Sequence, residues 1–133
     1  MEDNARSASC CCGQLKVQAW GDPVAIGMCH CLECQRRTGS VFGVQARFPK
    51  EKIRIEGEPV SYVRTGDSGN RVTFHFCPGC GGTVYWEPEA LPGFISVAVG
   101  AFADPAFPKP HYSVYETRQH PWAHPTFDCE HYE

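Results

Sequence analysis

The sequence contains no long apolar run, no excess of basic residues and no extended helical pattern. No apolar stretch approaches the roughly 20 residues that a membrane-spanning helix needs. The opening residues, MEDNARSAS, are polar and lack the apolar segment of a secretory signal. The formal net charge is -3, whereas a nucleic-acid-binding domain usually has a basic surface. We therefore predict a cytoplasmic protein that contacts neither membrane nor nucleic acid.

Common catalytic patterns are also missing. The chain has no Ser-His-Asp order, phosphate-binding glycine loop or paired-carboxylate motif. Cysteine, by contrast, is abundant, with nine in 133 residues. A secreted disulfide scaffold usually has an even number of cysteines after a signal peptide, and this chain shows neither feature. Because cytosolic thiols stay reduced, clustered cysteines in such a chain indicate metal binding more often than disulfides.

Short alternating segments predict the fold class. Segments such as QLKVQAW and FGVQARF place apolar side chains on one face, as half-buried strands do. EKIRIEG and VSYVRTG flank residues 57–59 and are expected to pair as a hairpin. The best helix candidate is one or two turns after Cys31, through LECQRR. We predict an all-β protein of short antiparallel strands, with residues 1–8 as a disordered tail and residues 9–133 as a single zinc-binding domain.

Thiols are the main candidate metal ligands. Seven cysteines fall into three clusters: Cys10 with Cys12, Cys29 with Cys31 and Cys34, and Cys77 with Cys80. The last cluster has the form of a zinc knuckle, in which a strand enters the first cysteine and a Pro-Gly turn precedes the second. Such a knuckle supplies two thiolates and needs two more ligands from elsewhere.

Two partitions of the cysteines complete the knuckle. In the first, Cys10 and Cys12 join it in a closed four-thiolate site, which leaves the middle cluster as a three-thiolate site. In the second, two cysteines of the middle cluster complete it instead. We prefer the first partition because it uses every clustered thiol except Cys11 and ties an early strand to a late one, so that metal binding adds to folding stability. We expect Cys11, between two ligands, to point away from the metal.

The middle cluster has either an open coordination position or a remote fourth ligand. Structural zinc takes four protein ligands, whereas catalytic zinc takes three and leaves one position for substrate. Candidate fourth ligands are His30, His75, His111, His120, His124, His131, Cys11 and Cys129. His30 is sterically poor because it lies between two ligands. The histidines and the cysteine of the tail HPWAHPTFDCEHYE match no compact zinc motif. Spacing alone therefore leaves both readings of the cluster open.

The order and neighbours of the three clusters resemble a known family. The patterns C-x-C-G, C-H-C-x-x-C-x-R-x-x-G-S and F-C-x-x-C-G are similar to those of the glutathione-dependent formaldehyde-activating enzymes, a family that includes centromere protein V. The resemblance extends from Cys10 to about Trp122, and CHCLECQRRTGSVF is its most specific stretch.

The resemblance implies a β-tent fold of stacked antiparallel sheets with two zinc ions per chain. It places a structural zinc on Cys10, Cys12, Cys77 and Cys80, and a catalytic zinc on Cys29, Cys31 and Cys34. The implied activity is that of a carbon-sulfur lyase, which interconverts formaldehyde plus glutathione with S-hydroxymethylglutathione. The implied partners are thus a small thiol such as glutathione and a small electrophile such as formaldehyde, while a homodimer is left open.

Polar residues beside the middle cluster are candidate substrate contacts. Arg36 and Arg37 follow Cys34 and can meet a carboxylate or an oxyanion. Ser40 can donate a hydrogen bond to a substrate atom. The alternatives are a solvated arginine pair and a turn-capping hydroxyl. Two other functions also compete with the lyase: a non-catalytic scaffold with two structural zincs, and a sensor whose middle cluster releases zinc on oxidation.

Overall fold

The computed structural model describes residues 5–66 and 68–133, which form two β-sheets and one short α-helix. The strands are β1 (Ala5–Ser9), β2 (Lys16–Trp20), β3 (Ala25–Cys29), β4 (Gly43–Pro49), β5 (Ile53–Glu56), β6 (Val60–Thr65), β7 (Arg71–Phe76), β8 (Thr83–Pro88), β9 (Phe94–Ala98), β10 (Tyr112–Val114) and β11 (Glu130–His131). The helix α1 spans Leu32–Thr38, where the sequence predicts it. The all-β prediction is confirmed.

Strand order explains how distant segments meet. The smaller sheet has the order β1-β2-β5, and the larger sheet has the order β11-β10-β3-β4-β9-β8-β7-β6. Most neighbours are antiparallel, as expected, but β10 runs parallel to both β3 and β11. No helix in the described residues is long and apolar enough to cross a membrane.

The core lies between the two sheets. Alternation in β2 buries Val17 and Ala19, and these side chains belong to one apolar cluster with Val84 of β8 and Phe48 of β4. Phe48 is fully buried and is the largest such side chain. Burying one large apolar side chain contributes about 1.5–3 kcal/mol, so this cluster holds the sheets together.

One expected pairing is wrong. The segments on either side of residues 57–59 do not form a hairpin, because β5 pairs with β2 and β6 pairs with β7. Gly57 directs the chain from one sheet to the other with φ +97, and a Cβ at this position would clash with the Gln14 carbonyl. Long-range burial of Ile53 and Ile55 against the core cluster outweighs the local turn signal.

The start of the chain also differs from expectation. Residues 5–8 of the expected tail belong to β1, which pairs with β2 along its whole length. Ala8 is fully buried, and Arg6 donates a hydrogen bond to the Gly21 carbonyl at 2.9 Å. These contacts explain why residues 5–8 are ordered, although their polar composition predicted a disordered tail. Residues 1–4 of the expected tail lie outside the described part of the chain.

Candidate metal centres and the adjoining cleft

Four cysteines from the ends of two distant strands converge in what we call the first cysteine group: Cys10, Cys12, Cys77 and Cys80. Their sulfurs all lie within 4.8 Å of one another. The Cys12 Sγ atom is 3.7 Å from Cys10 Sγ and 3.6 Å from Cys77 Sγ. Cys11 is exposed and lies outside this group, as its position between two ligands suggested. The group joins the smaller sheet to the end of β7.

Backbone N–H groups donate hydrogen bonds to sulfurs of the first group and so favour the thiolate form that binds a cation. The Gly79 N–H donates to Cys77 Sγ at 3.3 Å, and the Leu15 N–H donates to Cys10 Sγ at 3.2 Å. The pKa of Cys77 is lowered to about 6, because the Cys80 backbone N–H, the Gln14 side chain and the Gly79 N–H stabilise its thiolate. Four thiols with amide donors around them are a donor set that fits zinc.

The pKa values of Cys80 and Cys12, two other thiols of the first group, shift in opposite directions. The Cys12 and Gly82 backbone N–H groups lower the pKa of Cys80. At Cys12 a backbone hydrogen bond from Gln14 lowers the pKa, but bonds with the Cys77 and Cys10 thiols outweigh it and raise the pKa to about 11. Without a cation, the protons are thus shared unequally among neighbouring sulfurs. Metal binding displaces them, so it releases protons and depends on pH.

The second cysteine group consists of Cys29, Cys31 and Cys34. Cys29 ends β3, Cys31 is the N-cap of α1, and Cys34 lies in the first turn of that helix. Their sulfurs also lie within 4.8 Å of one another, and the Cys34 N–H donates to Cys31 Sγ at 3.2 Å. Across residues 5–66 and 68–133, no fourth His, Cys or carboxylate ligand joins this group. Three thiols without a fourth ligand fit a zinc site with one open position.

Charge is concentrated on one thiol of the second group. The pKa of Cys31 is lowered to about 2, because the Cys29 and Cys34 thiols donate to it and the Arg64 charge stabilises the thiolate. The pKa of Cys29 is raised, since its proton is held by Cys31 and Cys34 and its side chain is desolvated. The buried His30 is not among the residues whose ligand atoms converge in this group, and its Nε2 atom pairs with the Ser113 hydroxyl at 3.1 Å.

A cleft of about 530 Å³ opens beside the second group, and we call it the arginine cleft. Its lining includes the three thiols of the second group and four arginines: Arg36, Arg64, Arg71 and Arg118. Glu33 also lines the cleft, and its carboxylate is 2.9 Å from Arg36 Nη1 and 4.0 Å from Arg64 Nη1. Arginines next to a thiol cluster favour a ligand that carries carboxylates.

The three predicted supporting residues lie in different places. Arg36 lines the arginine cleft. The guanidinium of Arg37 instead stacks over Trp86, with Cζ 4.2 Å from the ring centroid, and lines neighbouring surface hollows. Ser40 is exposed, its backbone N–H bonds to the Thr38 hydroxyl at 3.0 Å, and it does not line the cleft. Catalytic roles for these three residues stay predictions.

Sequence reasoning missed the arginines that come from outside the cysteine motif. Arg64 lies on the edge strand β6, with its Cζ 5.1 Å from the centroid of the Phe74 ring. Arg71 begins β7, and Arg118 lies in the segment after β10. No local pattern marks these residues, because only the tertiary fold brings them to the cleft. Isolated arginines on strands are normally solvated surface groups.

These features define a cysteine-rich all-β protein with two groups that can hold metal ions. A model of the glutathione-dependent formaldehyde-activating enzyme family matches residues 5–118, so the chain belongs to this family. A crystal structure of a Rhodobacter sphaeroides protein matches with a TM-score of 0.56 and 20% identity, over 71% of this chain and 85% of that chain. At this identity the likeness shows the fold alone. No curated protein gives a significant match.

Proposed function

We propose that the protein is a zinc-dependent carbon-sulfur lyase that forms and cleaves the adduct of formaldehyde with a small anionic thiol such as glutathione. The observation that carries this proposal is the arginine cleft, whose lining combines a three-thiol group that could hold a metal ion with four arginines. Family membership supports the same chemistry.

The two cysteine groups have different roles in this proposal. The first group holds a structural zinc that ties the sheets together, because it supplies a full set of four thiolates. The second group holds the catalytic zinc, which when bound lowers the pKa of a thiol or polarises a carbonyl oxygen at its open position. A centre with three thiolates is more negative than one with three neutral histidines, and nearby cationic residues offset that charge.

Cationic side chains orient the thiol substrate. Glutathione carries two carboxylates, and the cleft residues Arg64 and Arg118 come from different elements, so we expect them to bind carboxylates at separate points. Arg64 also lies close enough to the second group to stabilise negative charge on Cys31. Fixing the substrate at several points holds its sulfur near the reacting carbon, which lowers the entropic part of the barrier.

Bond changes in the reaction balance without a further reactant. In the forward direction the substrate sulfur bonds to the formaldehyde carbon, the carbonyl π pair moves to oxygen, and the thiol proton ends on the new hydroxyl. In reverse, the C–S bond breaks with its electron pair going to sulfur, the oxygen re-forms the carbonyl double bond, and the hydroxyl proton ends on the thiol. Glu33 and Arg36 both line the cleft and form an ion pair at 2.9 Å, and in this proposal the pair contacts the polar end of the substrate.

Exchange spectroscopy tests the proposal directly. Formaldehyde and glutathione are equilibrated with purified protein, and the rate of exchange between free and hydroxymethylated glutathione is measured by NMR. We expect two zinc ions per chain and exchange at least about tenfold above the uncatalysed rate, a barrier lowered by about 1.4 kcal/mol or more. Cys31→Ser should lose one zinc and this acceleration.

Two results would contradict the proposal. Full zinc content without any acceleration would favour the scaffold function instead. Equal acceleration by Cys31→Ser would place the chemistry away from the second group. A matched control is Cys11→Ser, which removes an exposed thiol outside both groups and should keep the activity.

A further inference from the structure

A third set of metal-binding residue types lies near the C-terminal end of the described chain. Cys129 directly precedes β11 and His131 ends it, so the two residues are separated by Glu130 and their side chains project to the same side where the chain is extended. Backbone bonds hold this segment against β10: the Glu130 N–H donates to the His111 carbonyl at 3.1 Å, and the Tyr132 N–H donates to the Ser113 carbonyl at 2.8 Å. The two side chains therefore project from an ordered backbone.

The distance between the thiol and the imidazole is close to that of two ligands on one ion. Cys129 Sγ lies 3.9 Å from His131 Nε2. Zinc bonds of about 2.3 Å to sulfur and 2.0 Å to nitrogen at a tetrahedral angle separate the two ligand atoms by about 3.5 Å. A shift of a few tenths of an ångström would bring both atoms into range of one ion.

Glu116 orients the imidazole for metal binding. Its Oε2 atom lies 2.7 Å from His131 Nδ1 and accepts the proton there. This bond fixes the tautomer in which Nε2 carries the lone pair, on the side that faces Cys129. Metal-binding histidines commonly make such a bond to a carboxylate through the ring nitrogen that does not bind the metal. Glu116 is itself held by a 3.1 Å bond from its backbone N–H to the Tyr132 carbonyl.

His124 is the candidate third ligand. Its ring is stacked on that of His131, with centroids 5.9 Å apart and planes at 9°. The three ligand atoms do not converge within 4.8 Å as those of the two cysteine groups do, so the exposed His124 side chain must rotate to complete the set. The charges that act on Cys129 are three carboxylates, Glu116, Asp128 and Glu130, and one ammonium group, Lys109, so negative charge predominates at the site.

We propose that Cys129, His131 and His124 form a further metal site for a borderline-soft divalent cation such as Zn²⁺, with Glu116 as a positioning residue. One thiolate and two imidazoles are a donor set that suits zinc and leaves a position for water. The proposal is independent of the lyase function, because none of these residues lines the arginine cleft or belongs to either cysteine group.

Zinc titration of the whole protein tests this site. Protein already carrying zinc in both cysteine groups is titrated with Zn²⁺ against a chromophoric chelator. We expect one further zinc ion per chain to bind, and Cys129→Ser to lose this ion while keeping the others. His124→Ala should weaken binding of the same ion. Cys11→Ser is the matched control and should bind as the wild type does.

Alkylation supplies a second readout that does not depend on metal counting. Iodoacetamide labelling of Cys129, located by mass spectrometry, should slow by about tenfold or more when Zn²⁺ is added. Glu116→Gln should reduce zinc affinity by about 10–100-fold, as loss of a carboxylate bonded to a ligand histidine typically does. Glu116→Asp should restore part of the affinity. Without added Zn²⁺, both variants should unfold at the same temperature as the wild type.

Three outcomes would overturn the proposal. The first is a further zinc ion that binds equally well to Cys129→Ser. The second is the absence of any further ion in the wild type. The third is alkylation of Cys129 at the same rate with and without Zn²⁺, which would indicate an ordinary accessible thiol.

Discussion

Replacing one ligand in each cysteine group should have very different effects on stability. In the first group, Cys77 is fully buried and its sulfur lies 3.6 Å from that of Cys12, which is 65 residues away in sequence. In the second group, Cys31 lies three residues from Cys34, so a metal there closes only a short loop. Cross-links between distant residues restrict the unfolded chain more than local ones do.

The magnitudes follow from these positions. A structural zinc contributes about 10–16 kcal/mol of apparent binding free energy near pH 7, whereas a whole domain is stable by about 5–15 kcal/mol. Cys77→Ser therefore threatens the entire stability of the fold. Compared with wild type whose second group holds no zinc, Cys31→Ser should cost less than about 1 kcal/mol, because serine is a preferred N-cap and its hydroxyl can accept the bond from the Cys34 N–H that caps α1.

Thermal unfolding followed by circular dichroism, with zinc analysis of each sample, measures the difference. At about 4 °C per kcal/mol for a chain of this size, Cys31→Ser should unfold within about 4 °C of wild type from which the zinc of the second group has been removed. Cys77→Ser should unfold more than about 15 °C lower, or show no cooperative transition. Similar unfolding temperatures for the two variants would refute the distinction between a structural and an open site. A stable Cys77→Ser protein that retains all its zinc would refute it as well.

Two further predictions concern charged residues. Arg64→Gln should slow turnover of glutathione by about 10–100-fold, because a hydrogen bond to a charged group is worth about 1.5–3 kcal/mol. Turnover of the uncharged thiol 2-mercaptoethanol should slow much less, and equal losses would mean that Arg64 acts through the second cysteine group or the fold rather than through the substrate carboxylates. The Arg71 backbone N–H lowers the pKa of Glu89 below its ordinary 4.5, so the bond stabilises the fold above that pH and is lost as pH falls through the folded-state pKa. Urea unfolding should therefore show wild type and Glu89→Gln converging in stability at low pH, and a gap that stays constant would contradict the assignment.

Local sequence patterns predicted those parts of the fold that depend on neighbours in the chain. Alternating apolar residues marked β2 and β4, and the polar run after Cys31 marked α1. Strand partners were harder, because β5 and β6 each pair with a strand other than the one across the turn. That residues 5–9 form an ordered strand could not be predicted either, since only the pairing with β2 makes the polar segment ARSAS a strand.

The candidate site likewise has a part that local sequence patterns predicted, the thiols, and a part that they did not, the arginines. Thiol ligands come in short spacings that chain geometry requires, so counting them predicted both cysteine groups that the fold brings together. The cleft walls come from strand ends far apart in sequence, and neither Arg64 nor Arg118 carries a local signal. Arg37 lies next to Arg36 in sequence, but it stacks on Trp86 because successive residues of a helix project in different directions.

The parallel pairing of β3 with β10 has a consequence for how the substrate preference of such a protein can evolve. Parallel strands end at the same edge of a sheet, so the thiols that follow β3 and the segment that follows β10 arrive side by side, although more than half of the chain separates them. In the proposed function, metal ligation and ligand selection are thereby encoded in separate stretches of sequence. Substitutions after β10 or at the end of β6 can alter what the cleft accepts while the thiols stay where they are, so the architecture supports divergence of substrate on an unchanged metal centre.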